Sequence, residues 1–336
     1  MPEIIVDTHA HYLPQPLLDE LSSRASDFPS IACMQQDGAW KLGFNGKALT
    51  RPINPGLREG SRRLDWMDEQ NIDVQVCGGW LDSFGYEIPN DEGLRWSQLI
   101  NDHLMKATDG SNRFAPLASV PLQNGRLAAR VLEDAVGNGF AGVMIGTQPK
   151  GGSGNLDDDD LDPFWEAAAA LNATVYLHPM FGCGDERLLD YDLVNTLGRA
   201  TDTMTAVGRL VFSGKLLKYS GMNFVLSHGG GGLPFLLGRM RHVQSHKPEF
   251  GDPQTSLAGC YYDTVVQDTR TLEFVCATFG ADRVVMGSDY PFVNGDLEPT
   301  RIIEASTVLT DAEKTSILGT LAHRLFHLEA CGCTGH

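Results

Sequence analysis

The amino-acid sequence predicts an α/β fold, a (β/α)₈ TIM barrel with a small insertion after the first strand. Eight short apolar, β-branched runs alternate with longer segments that have helical spacing. Such alternation is typical of a parallel sheet, and eight units favour a closed barrel over an open doubly wound sheet. The first run is followed by Asp-Thr-His-Ala-His, where a dinucleotide-binding sheet usually has a G-x-G-x-x-G turn.

The predicted strands are bounded by Gly, Pro, Asn or Asp, which commonly end strands. They cover residues 4–7, 73–77, 115–120, 142–145, 174–177, 223–227, 260–264 and 283–286. The predicted helices cover residues 60–71, 91–108, 126–138, 163–171, 199–214, 233–244, 268–279 and 298–308. A last helix over residues 311–328 begins with Thr310 as its N-cap and with Glu313 in the capping-box position.

Residues 12–56 interrupt the alternation, because they separate the first strand from its helix by more chain than an ordinary connection needs. Within them, residues 40–44 and 47–51 are predicted to form a hairpin with Asn45-Gly46 at the turn. We expect this insertion to lie over the barrel mouth. The chain from residue 1 to residue 336 is therefore predicted to be one domain with a lid subdomain at 12–56.

Composition limits the classes of partner. The formal net charge is −17 at pH 7, and an acidic surface repels phosphate backbones and anionic lipids. Nucleic acid and membrane are therefore poor candidates, whereas a small-molecule substrate remains compatible with this charge. The seven cysteines are scattered and odd in number, which fits a reducing, cytoplasmic compartment better than a disulfide framework. No apolar run approaches the roughly 20 residues of a membrane helix, and we expect no signal peptide.

Ionisable side chains fall at the ends of the predicted strands, where TIM-barrel active sites are built. His9 and His11 lie just past the first strand, His178 ends the fifth, His228 ends the sixth and Asp289 follows the eighth. In extended chain, residues i and i+2 face the same side, so both histidines of the first strand can point into one space. Three imidazoles and one carboxylate form a mixed nitrogen and oxygen set suited to zinc and similar divalent ions.

Each of these residues also has a simpler interpretation. An isolated H-x-H pair is more often two ordinary histidines, and Asp289 alone could be a turn residue before Tyr-Pro. His228 could be a structural histidine at the end of its strand. We favour a catalytic role for His228, because the glycines after it leave room for a ligand to approach the backbone. The convergence of all the groups on one mouth favours metal binding.

Longer motifs extend over nearly the whole chain. They are Asp7-Thr8-His9-Ala10-His11, residues 45–52, Leu64-Asp65-Trp66-Met67-Asp68, Val120-Pro121-Leu122-Gln123, His178-Pro179, Ser227-His228-Gly229-Gly230-Gly231, Phe235-Leu236-Leu237-Gly238-Arg239 and residues 283–292, which include Met286-Gly287-Ser288-Asp289-Tyr290-Pro291. In combination they are specific. With them the chain resembles the amidohydrolase superfamily, and within it the group around α-amino-β-carboxymuconate-ε-semialdehyde decarboxylase.

The resemblance implies a TIM barrel with one zinc-like metal, for which manganese is the alternative. By carry-over, the implied metal ligands are His9, His11, His178 and Asp289. His228 would be the acid/base that activates metal-bound water. Arg51 and Arg239, which spacing alone does not single out, fall where the group binds substrate carboxylates. The second arginine would come from a neighbouring subunit, so a homodimer is expected.

The sequence departs from the group at several positions. Two-metal relatives use a lysine at the end of the fourth strand, but here Lys150 lies beyond that strand, which favours one metal. Met180 stands where the nearest members have Trp, and residues 181–197 match poorly. Because this stretch should contribute to the pocket wall, we expect a pocket adapted to a different substrate.

The leading prediction is a metal-dependent, non-oxidative decarboxylase of an unsaturated or aromatic carboxylic acid. His228 would transfer a proton to the carbon that loses CO₂. The alternative is a metal-dependent C–C hydrolase or hydratase that acts on a ring-cleavage product of aromatic catabolism. A non-catalytic binding protein that retains the barrel is a third possibility, which the complete ligand set disfavours.

Overall fold

A computed structural model describes residues 4–180 and 185–328. The strands are β1 (Val6–His11), β2 (Ile31–Gln36), β3 (Ala39–Phe44), β4 (Val74–Gly78), β5 (Phe114–Ala118), β6 (Gly142–Gly146), β7 (Thr174–His178), β8 (Asn223–Leu226), β9 (Tyr261–Asp263) and β10 (Val284–Val285). Eight of them form one sheet in the order β1-β4-β5-β6-β7-β8-β9-β10, and each neighbouring pair is parallel. The predicted barrel is confirmed.

The sheet closes where β1 meets the chain after β10. Thr8 N donates to the carbonyl of Met286 at 2.8 Å, and His11 N donates to the carbonyl of Tyr290 at 2.9 Å. Asp289 N donates to the carbonyl of His9 at 2.7 Å. These bonds extend β1 beyond its predicted end at residue 7. The sequence places His9 and His11 after the strand, but in the structure both lie within it. The closure also places Asp289 beside both histidines.

Helices cover the outside of the sheet. The longer ones are α1 (Gln15–Ser23), α3 (Gly60–Glu69), α4 (Asn90–Thr108), α5 (Gly125–Gly137), α6 (Asp162–Ala170), α7 (Arg199–Phe212), α9 (Leu233–His246) and α11 (Thr269–Phe279). The shorter ones are α2 (Pro55–Arg58), α8 (Lys215–Lys218), α10 (Pro253–Ala258), α12 (Arg301–Glu304), α13 (Asp311–Thr315) and α14 (Leu321–Leu325). Among the described residues, no helix combines the length and apolar character needed to cross a membrane.

Two helix predictions need correction. The helix expected at 298–308 is only the single turn α12, because the Ser306 hydroxyl accepts from the amides of Val308 and Leu309 and ends the helical pattern. The last helix does begin with the predicted capping box at Thr310. It contains a π-helical turn at Ser316–Thr320 and ends at Leu325, before the predicted residue 328.

The hairpin expected in the insertion is wrong in register. β2 and β3 pair antiparallel around a turn at Asp37-Gly38, where both residues have positive φ. Asn45-Gly46 does form a turn, but residues 47–51 are not a strand, since only isolated bonds such as Thr50 N to the Leu42 carbonyl return to β3. The insertion also contains α1. Its last residues lead back to the barrel mouth.

Candidate active site

The carboxyl ends of the barrel strands bring five predicted site residues together. The Nε2 atoms of His9, His11 and His178 lie 3.4, 3.0 and 3.9 Å from Oδ1 of Asp289. His228 Nε2 lies 3.4 Å from the other carboxylate oxygen, Oδ2. The sequence predicted this convergence because parallel strands end at the same edge of a barrel.

Each of the three buried imidazoles is anchored through Nδ1 to a hydrogen-bond acceptor. His11 Nδ1 lies 2.9 Å from the carbonyl of Gly79, and His178 Nδ1 lies 2.7 Å from the carbonyl of Pro179. His9 Nδ1 lies 2.6 Å from a carboxylate oxygen of Asp263. Because these partners accept, each Nδ1 carries a proton and donates, so in the neutral form of each ring the lone pair is on Nε2.

This arrangement fits a divalent cation. Among the described residues, Nε2 of His9 and Nε2 of His178 are buried without a hydrogen-bond partner. In neutral rings with these tautomers, three lone pairs would face the Asp289 carboxylate, which is also an acceptor. Such mutual repulsion is relieved when a cation lies between the groups. The donor set therefore fits the metal that the sequence predicted.

Electrostatics are consistent with a cation. Burial lowers the pKa of His11, and it lowers the pKa of His178 well below its usual value, so both rings favour the neutral form that binds metals. Burial alone would raise the pKa of Asp289, but the surrounding histidines outweigh it and hold that pKa well below its usual value. Burial also opposes protonation of His9, yet the charges of Asp289 and Asp263 raise its pKa.

Distance alone does not separate ligands from the proposed acid/base. Candidate ligand atoms of His9, His178, His228 and Asp289 all lie within 4.8 Å of one another, a group that contains His228 and not His11. We favour His11 as the ligand, because its Nε2 faces Oδ1 together with the other two buried rings and its Nδ1 is anchored. His228 faces the opposite oxygen, and its side chain is 22% exposed, so it borders the space open to a substrate.

The backbone at this edge takes a rarely populated conformation. His228 and Asp289 have φ of 54° and 61°, in the left-handed region that side chains other than Gly and Asn seldom occupy. The glycines that follow His228 serve packing: a Cβ on Gly229 would lie 2.5 Å from Val266, and one on Gly230 would lie 2.9 Å from Tyr262. Packing therefore explains these glycines without the ligand approach that the sequence suggested.

Asp263 is a site residue that sequence reasoning missed. It ends β9 and is 1% exposed. Its Oδ2 accepts from His9 Nδ1 and from the Tyr176 hydroxyl at 2.9 Å, and its Oδ1 accepts from the amides of Gly229 and Val265. Partners of this kind orient a metal-binding imidazole. The sequence feature that could have identified Asp263 is its position as a carboxylate near the end of the seventh predicted strand.

A cavity of about 640 Å³ opens above the cluster. His178, His228 and Asp289 line it, together with Arg51 from the insertion and Arg199, another residue that sequence reasoning missed. Arg51 Nε donates to Asp82 Oδ2 at 3.2 Å, and its guanidinium lies 5.7 Å from the ring of Trp80. The predicted position of Arg51 at the mouth therefore agrees with the structure.

Arg239 does not line this cavity. It lies on α9 and is exposed, on the outer surface of the barrel. Phe235, one turn earlier on the same helix, is 82% exposed. Within one chain the structure does not bring Arg239 to the site. The expectation that it serves a neighbouring subunit stays a prediction.

Comparisons with known proteins agree with this architecture. A model of the amidohydrolase family matches residues 6–328. A 2-amino-3-carboxymuconate-6-semialdehyde decarboxylase of Dictyostelium discoideum is 27% identical over 333 residues, which cover 94% of this chain and 89% of the relative. A gamma-resorcylate decarboxylase of Rhizobium radiobacter is 29% identical over 287 residues, which cover 80% and 86%.

Solved structures share the fold. A 5-carboxyvanillate decarboxylase of Sphingomonas paucimobilis superimposes with a TM-score of 0.80 at 22% identity, covering 97% of this chain and 99% of the other. A dihydroxybenzoic acid decarboxylase of Polaromonas sp., with bound manganese and the inhibitor 2-nitroresorcinol, has a TM-score of 0.78 at 23% identity and covers 98% of both chains.

Proposed function

The chain belongs to the amidohydrolase family, and from that premise we propose that it is a metal-dependent, non-oxidative decarboxylase of an aromatic or unsaturated carboxylic acid. One observation carries the proposal: the Nε2 atoms of three anchored, buried histidines face one oxygen of Asp289, and His228 borders the cavity beside its other oxygen. The relatives described above support the reaction type, because their names state decarboxylation of such acids.

A single divalent ion is the cofactor, and the proposed ligands are His9, His11, His178 and Asp289. When bound, it supplies Lewis-acid stabilisation of negative charge on substrate oxygen. We propose zinc, since imidazole nitrogen dominates the donor set. Manganese is the second candidate, and it is the ion bound in the Polaromonas structure.

His228 is the proposed acid/base. In the proposed reaction the bond between the substrate carbon and its carboxylate breaks, and the electron pair stays on that carbon. Protonated His228 then delivers a proton to the carbon, and CO₂ leaves. An aldehyde or imine conjugated with that carbon would accept the developing charge, whereas the phenol oxygen of a hydroxybenzoate would donate electrons that assist protonation of the same carbon. The position of His228 on the cavity wall, opposite the buried ligands, supports this role.

Arg51 is proposed to bind a substrate carboxylate through its guanidinium. We also propose that residues 12–56 act as a lid and that two chains form a homodimer in which Arg239 enters the neighbour's cavity. The exposed Phe235 beside Arg239 supports an interface there, because large exposed apolar side chains are common at contact surfaces.

The experiment compares bond cleavage with water addition. The protein is loaded with zinc or manganese and incubated in D₂O with 2,6-dihydroxybenzoate or 5-carboxyvanillate. Decarboxylation should release one CO₂ per product and place one deuterium on the carbon that lost it. Oxygen-18 from labelled water in the product, without CO₂, would instead indicate the hydrolase or hydratase. Absence of either product with a panel of hydroxybenzoates and ring-cleavage dicarboxylates would refute the proposed substrate class.

A further inference from the structure

Two arginines of the same chain line the cavity above the cluster. Arg51 comes from the insertion, and Arg199 is the first residue of α7. Both also border a second cavity of about 520 Å³, so they lie where the two spaces adjoin. Burial, and next the neighbouring charge of Arg51, lowers the pKa of Arg199, in agreement with the position of both guanidinium groups on the same cavity walls.

Their charges are not balanced equally. Arg51 is paired with Asp82, whose Oδ2 accepts from Arg51 Nε. Among the described residues, Arg199 donates only to neutral oxygens: Nε to Asn195 Oδ1 at 2.9 Å, and Nη1 to the carbonyls of Met180 at 2.5 Å and Pro179 at 3.4 Å. Among residues 4–180 and 185–328, no carboxylate oxygen lies within 4.0 Å of the Arg199 guanidinium.

The acidic residue of the same helix, Asp202, already accepts hydrogen bonds from other groups. Asp202 is 5% exposed, and its oxygens accept from the Thr147 hydroxyl, the Gln148 amide and the backbone amide of Met180. Asp202 therefore forms no ion pair with Arg199; after Asp289 and Asp82, it is the third carboxylate whose charge acts on Arg199 from a distance. A half-buried cation that lacks a paired anion is costly unless a ligand supplies one.

The remaining donors of Arg199 are available to a ligand. Within the described part of the chain, Nη2 of Arg199 donates no hydrogen bond. The contacts of Nε and Nη1 hold the planar group in place, so its free edge has a fixed direction. A guanidinium held in this way can donate from Nη2 to an oxygen of a ligand carboxylate, a charge-assisted hydrogen bond.

We propose that Arg199 is a substrate-binding residue that, with Arg51 of the same chain, binds an anionic group of the substrate other than the carboxylate that is lost. The inference rests on the proposed function only in that the substrate is a carboxylic acid. It makes Arg199 a specificity residue, which favours acids with a second anionic group. Arg199 lies two residues after the stretch 181–197, which departs from the family pattern, and this fits a role in selecting a particular substrate.

The test measures binding by calorimetry, with metal-free and zinc-loaded protein. The probes are benzoate, which has one carboxylate, and isophthalate and terephthalate, which have two at different spacings. The wild-type protein should bind at least one diacid more tightly than benzoate. Arg199→Met should weaken diacid binding about 10- to 100-fold and leave benzoate binding within about threefold. Arg199→Lys, which keeps the charge but loses the contacts that fix the direction of the guanidinium, should fall between them.

Arg209→Met is the matched control, because Arg209 lies on the same helix but pairs with Asp157 away from the cavity. It should change neither binding ratio. Zinc content and thermal melting are recorded for every variant, since Arg199 also holds the carbonyls after His178. An equal loss of benzoate and diacid binding, together with lost metal, would show a merely structural role and overturn the proposal. So would an unchanged diacid preference in Arg199→Met, or no preference in the wild type. Failure of the proposed decarboxylation is read separately, from CO₂ release.

Discussion

His9 donates from Nδ1 to Oδ2 of Asp263 across 2.6 Å, and both side chains are completely buried. This pair joins β1 to β9, which are separated in the closed sheet by β10, and it directs His9 Nε2 towards Asp289. The carboxylate is held in turn by Tyr176 and by two backbone amides, so it cannot turn away from the imidazole. Orientation of the proposed ligand therefore depends on a residue outside the ligand set.

Replacement of Asp263 by asparagine should test this dependence. The amide nitrogen cannot accept a hydrogen bond, so at least one donor around it loses its partner. We expect Asp263→Asn to weaken zinc binding about 10- to 100-fold, as measured by competition with a chromophoric chelator. Asp252→Asn, at the N-cap of α10, is the control and should bind zinc normally. Unchanged affinity in Asp263→Asn would contradict the positioning role.

The expected metal stoichiometry follows from the one cluster of candidate ligands found among the described residues. Purified protein should contain about one divalent ion per chain by elemental analysis. His178→Ala and Asp289→Ala should lose metal and activity together, because each removes a proposed ligand. His103→Ala, a buried histidine that pairs with Glu20 outside the site, should keep the metal. Two ions per chain, or full occupancy in both ligand variants, would contradict the ligand assignment.

His228→Ala separates the acid/base from the ligands. If His228 only transfers the proton, the variant should retain its metal while the catalytic rate falls about 10²- to 10⁴-fold. Metal content by elemental analysis and the rate of CO₂ release are measured on the same preparation. A metal-free variant would place His228 among the ligands, as its proximity to His9, His178 and Asp289 also permits.

The shared site can be tested by mixing subunits. Arg51→Ala and Arg239→Ala proteins should each be nearly inactive. In a mixed dimer, one pocket keeps its own Arg51 and receives an intact Arg239, so activity should recover when the two are exchanged. If both arginines act within one chain, no pocket in the mixture is complete. No recovery despite demonstrated subunit exchange, or a fully active monomer, would contradict sharing.

Arg63 stabilises the wall behind the site. It is fully buried, and it donates to Gln75 Oε1 at 2.5 Å and to two backbone carbonyls. Its guanidinium also lies 4.6 and 4.8 Å from the ring centres of Tyr12 and Tyr290. We expect Arg63→Met to lower the free energy of unfolding by about 3 kcal/mol, because it leaves buried acceptors unpaired. Urea unfolding measures the free energy of unfolding of each variant. The control is Arg62→Met, which replaces an exposed neighbour and should lower this free energy little. Equal losses in both variants would contradict the stabilising role of Arg63.

Much of the fold and most of the residues in the candidate site follow from local patterns. Alternation of apolar runs and helical segments is a property of consecutive residues, so the barrel was predictable. The positions of His9, His11, His178, His228 and Asp289 at strand ends were predictable for the same reason, because eight parallel strands place their carboxyl ends on one edge. The capping box at Thr310 is likewise local, since its two partners are three residues apart.

Only the tertiary structure decided the rest. Asp263 lies at the end of a three-residue strand, and nothing local shows that its carboxylate faces His9, a residue 254 positions away. Arg199 follows a stretch without a recognisable motif, and its lack of a paired anion becomes visible only when every neighbouring carboxylate has a position. The extension of β1 through His11 depends on the closure with the chain after β10. Long-range hydrogen bonds and charge balance are properties of the assembled barrel, and for that reason single segments of sequence do not contain them.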